Sequence, residues 1–98
     1  MTKPWSVYIL QCSDRSLYTG ISNDVSKRFE THQAGTSASA KYTKSRRPLM
    51  LVYQCEIGSR SEATKIEIKI KKLPKIKKEQ LIQKNIHLKD LLAFEKNS

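Results

Sequence analysis

Two tyrosines, Tyr8 and Tyr18, are the first side chains whose spacing could serve chemistry. They lie in two apolar stretches, 5–12 and 17–21, and the polar residues 13–16 between these stretches are typical of a turn that joins two strands. Each tyrosine then falls near the middle of its strand. Because an even offset keeps the side-chain phase, the two phenols are predicted to meet on one face of the hairpin.

A guanidinium and an imidazole follow on a predicted helix. Helix-capping residues at 22–24 predict a helix over about 24–33. Arg28 and His32 are four residues apart, so they share one face of this helix, next to its apolar stripe. Spacing alone favours ordinary roles for both: an arginine that extends over the edge of the core, and a histidine that interacts with the helix dipole.

A carboxylate lies on a second predicted helix, over about 60–73. Its apolar stripe consists of Ala63, Ile66, Ile70 and Leu73. At 100° per residue Glu67 lies just off this stripe, at the rim of the core. The alternative for Glu67 is an ordinary ion pair with Lys71, four residues further on, and the pattern alone favours that alternative.

The segment 35–48 between these helices is small, polar and basic, which predicts a loop. Its candidate ligands for nucleic acid are Lys41, Tyr42, Lys44, Arg46 and Arg47. Cations around an aromatic ring can hold phosphates and stack a base. A solvated loop without a ligand explains the segment equally well.

Charge is the strongest global feature of this chain. Its 98 residues form one domain, and 38% hydrophobic content is enough for a folded core. The net charge is +10, and eight lysines lie within 65–84. A small basic domain favours a polyanionic partner, nucleic acid first, over a domain that is merely soluble. We predict a monomer.

Cysteine spacing and hydropathy predict a cytoplasmic protein. Cys12 and Cys55 are far apart and lack the CxxC spacing, so we expect reduced thiols, with one disulfide as the alternative. The apolar runs are far too short to span a membrane, and the N-terminus has no apolar signal core.

The remaining elements complete the predicted order of hairpin, helix, strand and helices. The nearly continuous apolar run 49–55 predicts a central strand that is buried on both faces. Pro74 ends the second helix, and 75–83 predicts a short helix after it. Residues 87–95 predict a last short helix or a docking tail.

The ordered set of motifs resembles the GIY-YIG nuclease superfamily. Val7-Tyr8-Ile9 and Tyr18-Thr19-Gly20 are similar to its paired name motif, and Arg28 stands where its helix arginine belongs. The segments Ala-Lys-Tyr-Thr at 40–43, Arg47-Pro48 and Leu51-Val52-Tyr53, and the run Glu67-Ile68-Lys69-Ile70-Lys71, resemble the small stand-alone bacterial members. The resemblance covers roughly 5–85.

The resemblance implies an α+β GIY-YIG fold, a three-stranded antiparallel sheet flanked by helices in the order β-β-α-β-α-α. It implies a domain over 1–85, with 86–98 as a tail or short helix. It also implies metal-dependent cleavage of phosphodiester bonds, with Glu67 as the ligand of one Mg²⁺ or Mn²⁺.

The resemblance also implies roles for the other candidate residues. Arg28 would hold the phosphate, and one of the two tyrosines would activate water, with Tyr8 favoured. His32 would assist proton transfer. Ile21 stands where some repair members carry a lysine, and Asn23 is a candidate substitute contact.

We therefore expect a nuclease for DNA rather than RNA that selects structure rather than sequence, in DNA repair or processing. The alternative is a nucleic-acid-binding module whose catalysis is weak or lost. A third hypothesis is an adaptor that docks through the apolar residues at 88–94.

Overall fold

The computed structural model of the protein describes residues 3–35 and 40–84. Its elements are β1 (Trp5–Gln11), β2 (Leu17–Ser22), α1 (Val25–Ala34), α2 (Lys41–Lys44), β3 (Met50–Gly58), α3 (Arg60–Lys71) and α4 (Lys75–Lys84). The predicted α+β fold is confirmed, with one addition, because the short helix α2 lies in the segment predicted as loop. The predicted tail at 86–98 lies outside the described residues.

The helix ends follow from local capping chemistry. The side chain of Asp24 accepts a hydrogen bond of 3.2 Å from the backbone N–H of Lys27, which starts α1. Gly35 ends this helix in the left-handed conformation, with φ of 66°. The hydroxyl of Ser59 accepts a bond of 3.1 Å from the N–H of Glu62 and starts α3. These caps fix where each helix leaves the sheet.

The strand order corrects one prediction. The three strands form an antiparallel sheet in the order β2-β1-β3, so β1 is central and β3 is an edge strand. Val7–Leu10 in β1 are buried without interruption, whereas in β3 the buried Tyr53 and Cys55 alternate with the exposed Gln54 and Glu56. The prediction of a central strand at 49–55 was wrong. Both runs are apolar, and only pairing on two sides distinguishes the central one.

Two layers of side chains cover the sheet. On the α1 face, the buried apolar cluster consists of Tyr8, Leu10, Cys12, Val25 and Leu49. On the α3 face, the larger cluster consists of Val7, Ile9, Tyr53, Cys55, Ile57, Ala63, Ile66, Ile70 and Leu81. Both cysteines are buried and free, as predicted, one on each face. Within the described residues, no helix is long and apolar enough to cross a membrane.

Candidate active site

The hairpin brings the two tyrosines to one face, as their spacing predicts. In the β1–β2 register Tyr8 pairs with Gly20, and Leu10 pairs with Tyr18, so the tyrosines are diagonal neighbours. Gly20 makes room for the Tyr8 ring, because a β-carbon at Gly20 would lie 2.5 Å from the Tyr8 hydroxyl oxygen. The phenol of Tyr8 therefore lies across β2 and is only 1% exposed.

His32 on α1 joins the two tyrosines. Its Nε2 lies 3.0 Å from the Tyr8 hydroxyl, and its Nδ1 lies 3.0 Å from Oγ1 of Thr43 on α2. The edge of the Tyr18 ring faces the imidazole, with 5.4 Å between the ring centroids. His32 is fully buried, so its position at the end of α1 is part of a polar network rather than a surface contact with the helix dipole.

The charge of Arg28, one turn earlier on α1, acts on all three rings. Burial raises the pKa of Tyr8 to about 12, and Tyr18 acts in the same direction, whereas the hydrogen bond and charge of Arg28 oppose the rise. Burial, and after it the charge of Arg28, lowers the pKa of His32 to about 4. At neutral pH the pair is therefore a neutral phenol beside a neutral imidazole.

Glu67 approaches the same tyrosines from α3. This helix packs against β2, which is an edge strand of the sheet. The charge of Glu67 raises the pKa of Tyr8 and of Tyr18. Its side chain is 19% exposed, and Oε2 lies 3.8 Å from Nζ of Lys71. The ion pair of Glu67 with Lys71, which the sequence pattern favours, is thus present, and the same carboxylate also acts on the tyrosines.

The short helix α2 covers the Tyr18 side of this cluster. The Tyr42 ring stacks with the Tyr18 ring at 20° and 6.1 Å between centroids, and the Arg46 guanidinium lies 3.9 Å from the Tyr42 centroid. Nε of Arg46 also lies 3.2 Å from Asp14 in the hairpin turn. Tyr42 therefore helps to position the hairpin, which a mobile loop would not do.

The family model described as the GIY-YIG catalytic domain matches residues 4–80. The chain belongs to the GIY-YIG family. A UPF0213 protein of Desulfotalea psychrophila is 46% identical over 79 residues, which are 81% of this chain and 71% of that one. A UPF0213 protein of Staphylococcus haemolyticus is 48% identical over 77 residues, 79% of this chain and 92% of that one. These names state no activity.

Two solution NMR structures resemble this GIY-YIG protein. A UPF0213 protein from Bacillus halodurans superimposes with a TM-score of 0.52 at 43% identity, over 81% of this chain and 82% of that one. A protein from E. faecalis superimposes with a TM-score of 0.59 at 35% identity, over 84% and 85% of the two chains. The family relation gives this chain a nuclease-type domain, for which nucleic acid is the substrate class.

The predicted nucleic-acid ligands of the GIY-YIG protein divide into two groups. Asn23, Lys41 and Lys44 are exposed around the cluster. Arg46 and Arg47 make internal contacts: Arg46 pairs with Asp14, while Arg47 donates to the backbone carbonyls of residues 33 and 44, both at 3.2 Å. The two arginines thus have structural partners, and the role of all these residues in binding stays a prediction.

The donor chemistry of the GIY-YIG protein fits a magnesium-type ion. The part of the chain that the structure describes contains no group of three or more His, Cys, Asp or Glu that could hold a metal. A single carboxylate such as Glu67 suits an ion that keeps water and substrate phosphate as its other ligands, as Mg²⁺ does. It does not suit zinc, which takes three or four protein ligands.

Sequence reasoning missed two contributors to the cluster. Thr43 lies within the family-like segment 40–43, but its contact with His32 needs the fold of α2 onto α1. The side chain of Gln33 pairs with both backbone groups of Leu49, at 2.9 and 2.8 Å, and so joins α1 to the start of β3. A polar residue next to a known motif is a weak signal, because most such residues are solvated.

Proposed function

We propose that this GIY-YIG protein is an endonuclease that hydrolyses phosphodiester bonds of DNA with the help of one divalent ion. The observation that carries the proposal is the buried hydrogen bond of 3.0 Å between the Tyr8 hydroxyl and Nε2 of His32. Arg28 and Glu67 act electrostatically on the same phenol. A cation, a carboxylate and a proton path at one phenol are what phosphodiester hydrolysis needs.

Tyr8 is the proposed base, and His32 is its proton acceptor. A neutral phenol can take a proton from the attacking water only if it gives up its own, and Nε2 of His32 is within hydrogen-bond distance to receive it. The low pKa of His32 opposes this transfer in the free protein. A phosphate bound at Arg28 would offset the guanidinium charge and raise the pKa of His32 when substrate is present.

Arg28 is the proposed phosphate ligand. Its guanidinium already lies close enough to Tyr8, Tyr18 and His32 to shift the pKa of each. A planar guanidinium can hold two phosphate oxygens at once and offset the negative charge that develops at phosphorus. Bound there, the phosphodiester would lie next to the Tyr8 hydroxyl, and the attacking water could be held between them.

Glu67 is the proposed ligand of Mg²⁺ or Mn²⁺. Such an ion, when bound, polarises the phosphate and stabilises the departing oxygen. Nζ of Lys71 lies 3.8 Å from Oε2 of Glu67, and its flexible stem can move aside for the ion. Glu67 would hold this ion near Tyr8, because its charge already acts on the Tyr8 phenol.

The substrate is proposed to be DNA recognised by shape, in DNA repair or processing. The cations proposed to contact the DNA backbone are exposed lysines on α2, α3 and α4 and between the last two helices: Lys41, Lys44, Lys65, Lys69, Lys72, Lys75, Lys77 and Lys84. Lysines on short helices contact phosphates and carry little base information. The net charge of +10 predicts binding that weakens steeply with salt.

The test is cleavage of labelled single-stranded, duplex and branched DNA, with an RNA duplex alongside, in Mg²⁺, Mn²⁺ or chelator. Glu67→Gln keeps the side-chain shape and removes the charge, so it should abolish metal-dependent cleavage. Glu79→Gln is the matched control, because Glu79 pairs with Lys75 at 4.0 Å on the surface of α4. Cleavage that survives in Glu67→Gln would contradict the site.

A binding module without catalysis is the second candidate, because of Ile21. Where some repair members carry a lysine, this side chain packs against the apolar cluster of the α3 face. One cation near the phosphate is therefore absent relative to those members. Salt-sensitive DNA binding with no cleavage in any metal would favour this candidate, and Ile21→Lys would then be the variant to examine for gained activity.

A further inference from the structure

Thr43 has a buried hydroxyl that does not take part directly in the proposed reaction. It lies on α2 and is 0% exposed. Its Oγ1 contacts two groups, Nδ1 of His32 at 3.0 Å and the backbone carbonyl of Ala40 at 3.0 Å. Burying a hydroxyl without a hydrogen bond costs free energy. The one proton of this hydroxyl can serve only one of the two contacts, and in the other the oxygen must accept.

The proton count at this hydroxyl has one solution that satisfies both contacts. A carbonyl oxygen only accepts, so the bond to Ala40 uses the single proton of Thr43. Oγ1 must then accept from His32, which requires the proton of the neutral imidazole to be on Nδ1. The other nitrogen, Nε2, is left with a lone pair, and it faces the Tyr8 hydroxyl at 3.0 Å.

We infer that Thr43 is a positioning residue, which holds His32 in the Nδ1–H tautomer and so turns the lone pair of Nε2 toward Tyr8. The resulting chain of donors runs from Tyr8 to His32, from His32 to Thr43, and from Thr43 to Ala40. Its catalytic meaning rests on the proposed function, because only this tautomer lets His32 accept the phenol proton. In the other tautomer Nε2–H would point at the Tyr8 oxygen and close the path.

Nδ1 of His32 has a second polar neighbour besides the Thr43 hydroxyl. The backbone N–H of Ala40 lies 3.4 Å from the same nitrogen and favours a lone pair there, which is the opposite tautomer. The two influences compete: the bond of 3.0 Å to the Ala40 carbonyl fixes the Thr43 proton, and it is shorter than the contact of 3.4 Å between the Ala40 N–H and Nδ1. If the Thr43 hydroxyl were removed, the Ala40 N–H would remain as a polar neighbour of Nδ1 among the described residues. Because this N–H donates, it favours a lone pair on Nδ1, and the imidazole proton should move to Nε2.

The position of Thr43 is set by contacts on both sides of it in sequence. Tyr42 stacks on Tyr18, and the backbone N–H of Ser13 donates to the Arg46 carbonyl at 2.9 Å. The backbone just after α2 is thus joined to the β1–β2 turn, while Thr43 contacts His32 on α1. The tautomer of His32 is therefore coupled to the docking of α2 on the hairpin.

The test reads the tautomer directly by long-range ¹H–¹⁵N correlation of the imidazole nitrogens at neutral pH. The chain has two histidines, so His87→Gln leaves His32 as the single histidine to observe. In that background we expect a protonated Nδ1 and a bare Nε2. Thr43→Val should move the proton to Nε2, and Thr43→Ser should keep it on Nδ1. Thr31→Val is the control, because the Thr31 hydroxyl donates to a carbonyl of its own helix at 3.1 Å, and this variant should leave the tautomer unchanged.

Cleavage by the same variants tests the catalytic part. Thr43→Val should lower kcat by roughly 10²-fold with KM for DNA little changed, and Thr43→Ser should restore it. A wild-type protein with Nε2–H would overturn the inference whether or not it cuts DNA. An Nδ1–H imidazole that is unchanged in Thr43→Val would overturn the role of Thr43, and a tautomer shift with full cleavage would overturn the coupling to catalysis. Absence of cleavage by the wild type would contradict the proposed function but leave the tautomer result standing.

Discussion

The two faces of the sheet are built from the same strands but bury different kinds of side chain. On the α1 face, the buried side chains include a phenol, an imidazole and a hydroxyl joined by two hydrogen bonds of 3.0 Å. On the α3 face, the buried cluster is mainly aliphatic, with Tyr53 and Cys55 as its other members, and it contains Ala63, Ile66 and Ile70 of the α3 stripe. Alternation along β1 separates the two, because Tyr8 faces α1 while Val7 and Ile9 face α3.

The difference teaches how so small a domain can hold a buried polar network. Burying a polar group costs free energy that its hydrogen bonds only offset, so the α1 face contributes less stability per residue. Burial of apolar surface stabilises by roughly 25 cal/mol per Å², and the α3 face has the larger buried cluster, with nine residues against five. We therefore expect substitutions on the α1 face to change activity more than stability, and the reverse on the α3 face.

The largest effect should come from Tyr8→Phe. Loss of the proposed base should lower single-turnover cleavage by about 10²–10⁴-fold. The free energy of unfolding should fall by only about 1–2 kcal/mol, because the hydrogen bonds with His32 and Arg28 are lost while the ring still packs. Cleavage assays and urea unfolding on the same preparation separate the two quantities. A large loss of stability with normal cleavage would contradict the expectation that the α1 face affects activity more than stability.

The α3 face should respond in the opposite way. Ile66 is buried in its cluster, so Ile66→Ala should lower the free energy of unfolding by about 2–5 kcal/mol. Ile68→Ala is the control, because Ile68 is 49% exposed on the same helix and should change stability by about 0.5 kcal/mol or less. Urea unfolding gives both values. Cleavage per folded molecule should stay near wild type, and a loss in Ile66→Ala at full folding would assign this face a part in the site.

The smallest effect is the acid sensitivity of the α1 face. The pKa of His32 is about 4 in the folded protein and 6.5 ordinarily, so between these values the unfolded chain binds a proton that the folded one excludes. This stability is complete above pH 6.5 and is lost as pH falls toward 4, by up to about 3 kcal/mol. Urea unfolding across this range should show the loss in wild type and a smaller one in His32→Gln. An NMR titration that gives His32 an ordinary pKa would contradict this prediction.

Local patterns predicted most of the elements because the determinants are local. The caps at Asp24, Gly35 and Ser59 and the apolar stripe of α3 act over one or two turns, so they can be read from neighbours. The order of the strands could not be read in this way. The run 49–55 is as apolar as β1, and which of the two lies in the centre depends on pairing between residues distant in sequence.

The candidate site divides along the same line. Five residues were named from spacing and family resemblance, and the fold brings all of them into contact or electrostatic range: Tyr8, Tyr18, Arg28, His32 and Glu67. Their functional roles stay predictions. Tyr42 and Arg46 were predicted to bind nucleic acid, but their contacts with Tyr18 and Asp14 arise only when α2 packs on the hairpin.

The sequence by itself determined the three longer helices, the hairpin, the shared face of the two tyrosines and the family of the chain. These follow from the period of two along a strand, from 3.6 residues per turn and from motifs at fixed spacing. Only the tertiary structure decided that β1 is central, that His32 is buried against Tyr8, and that Thr43 lies at its other nitrogen. Each of these joins residues from different elements, and the distance between such residues is set by packing rather than by local periodicity.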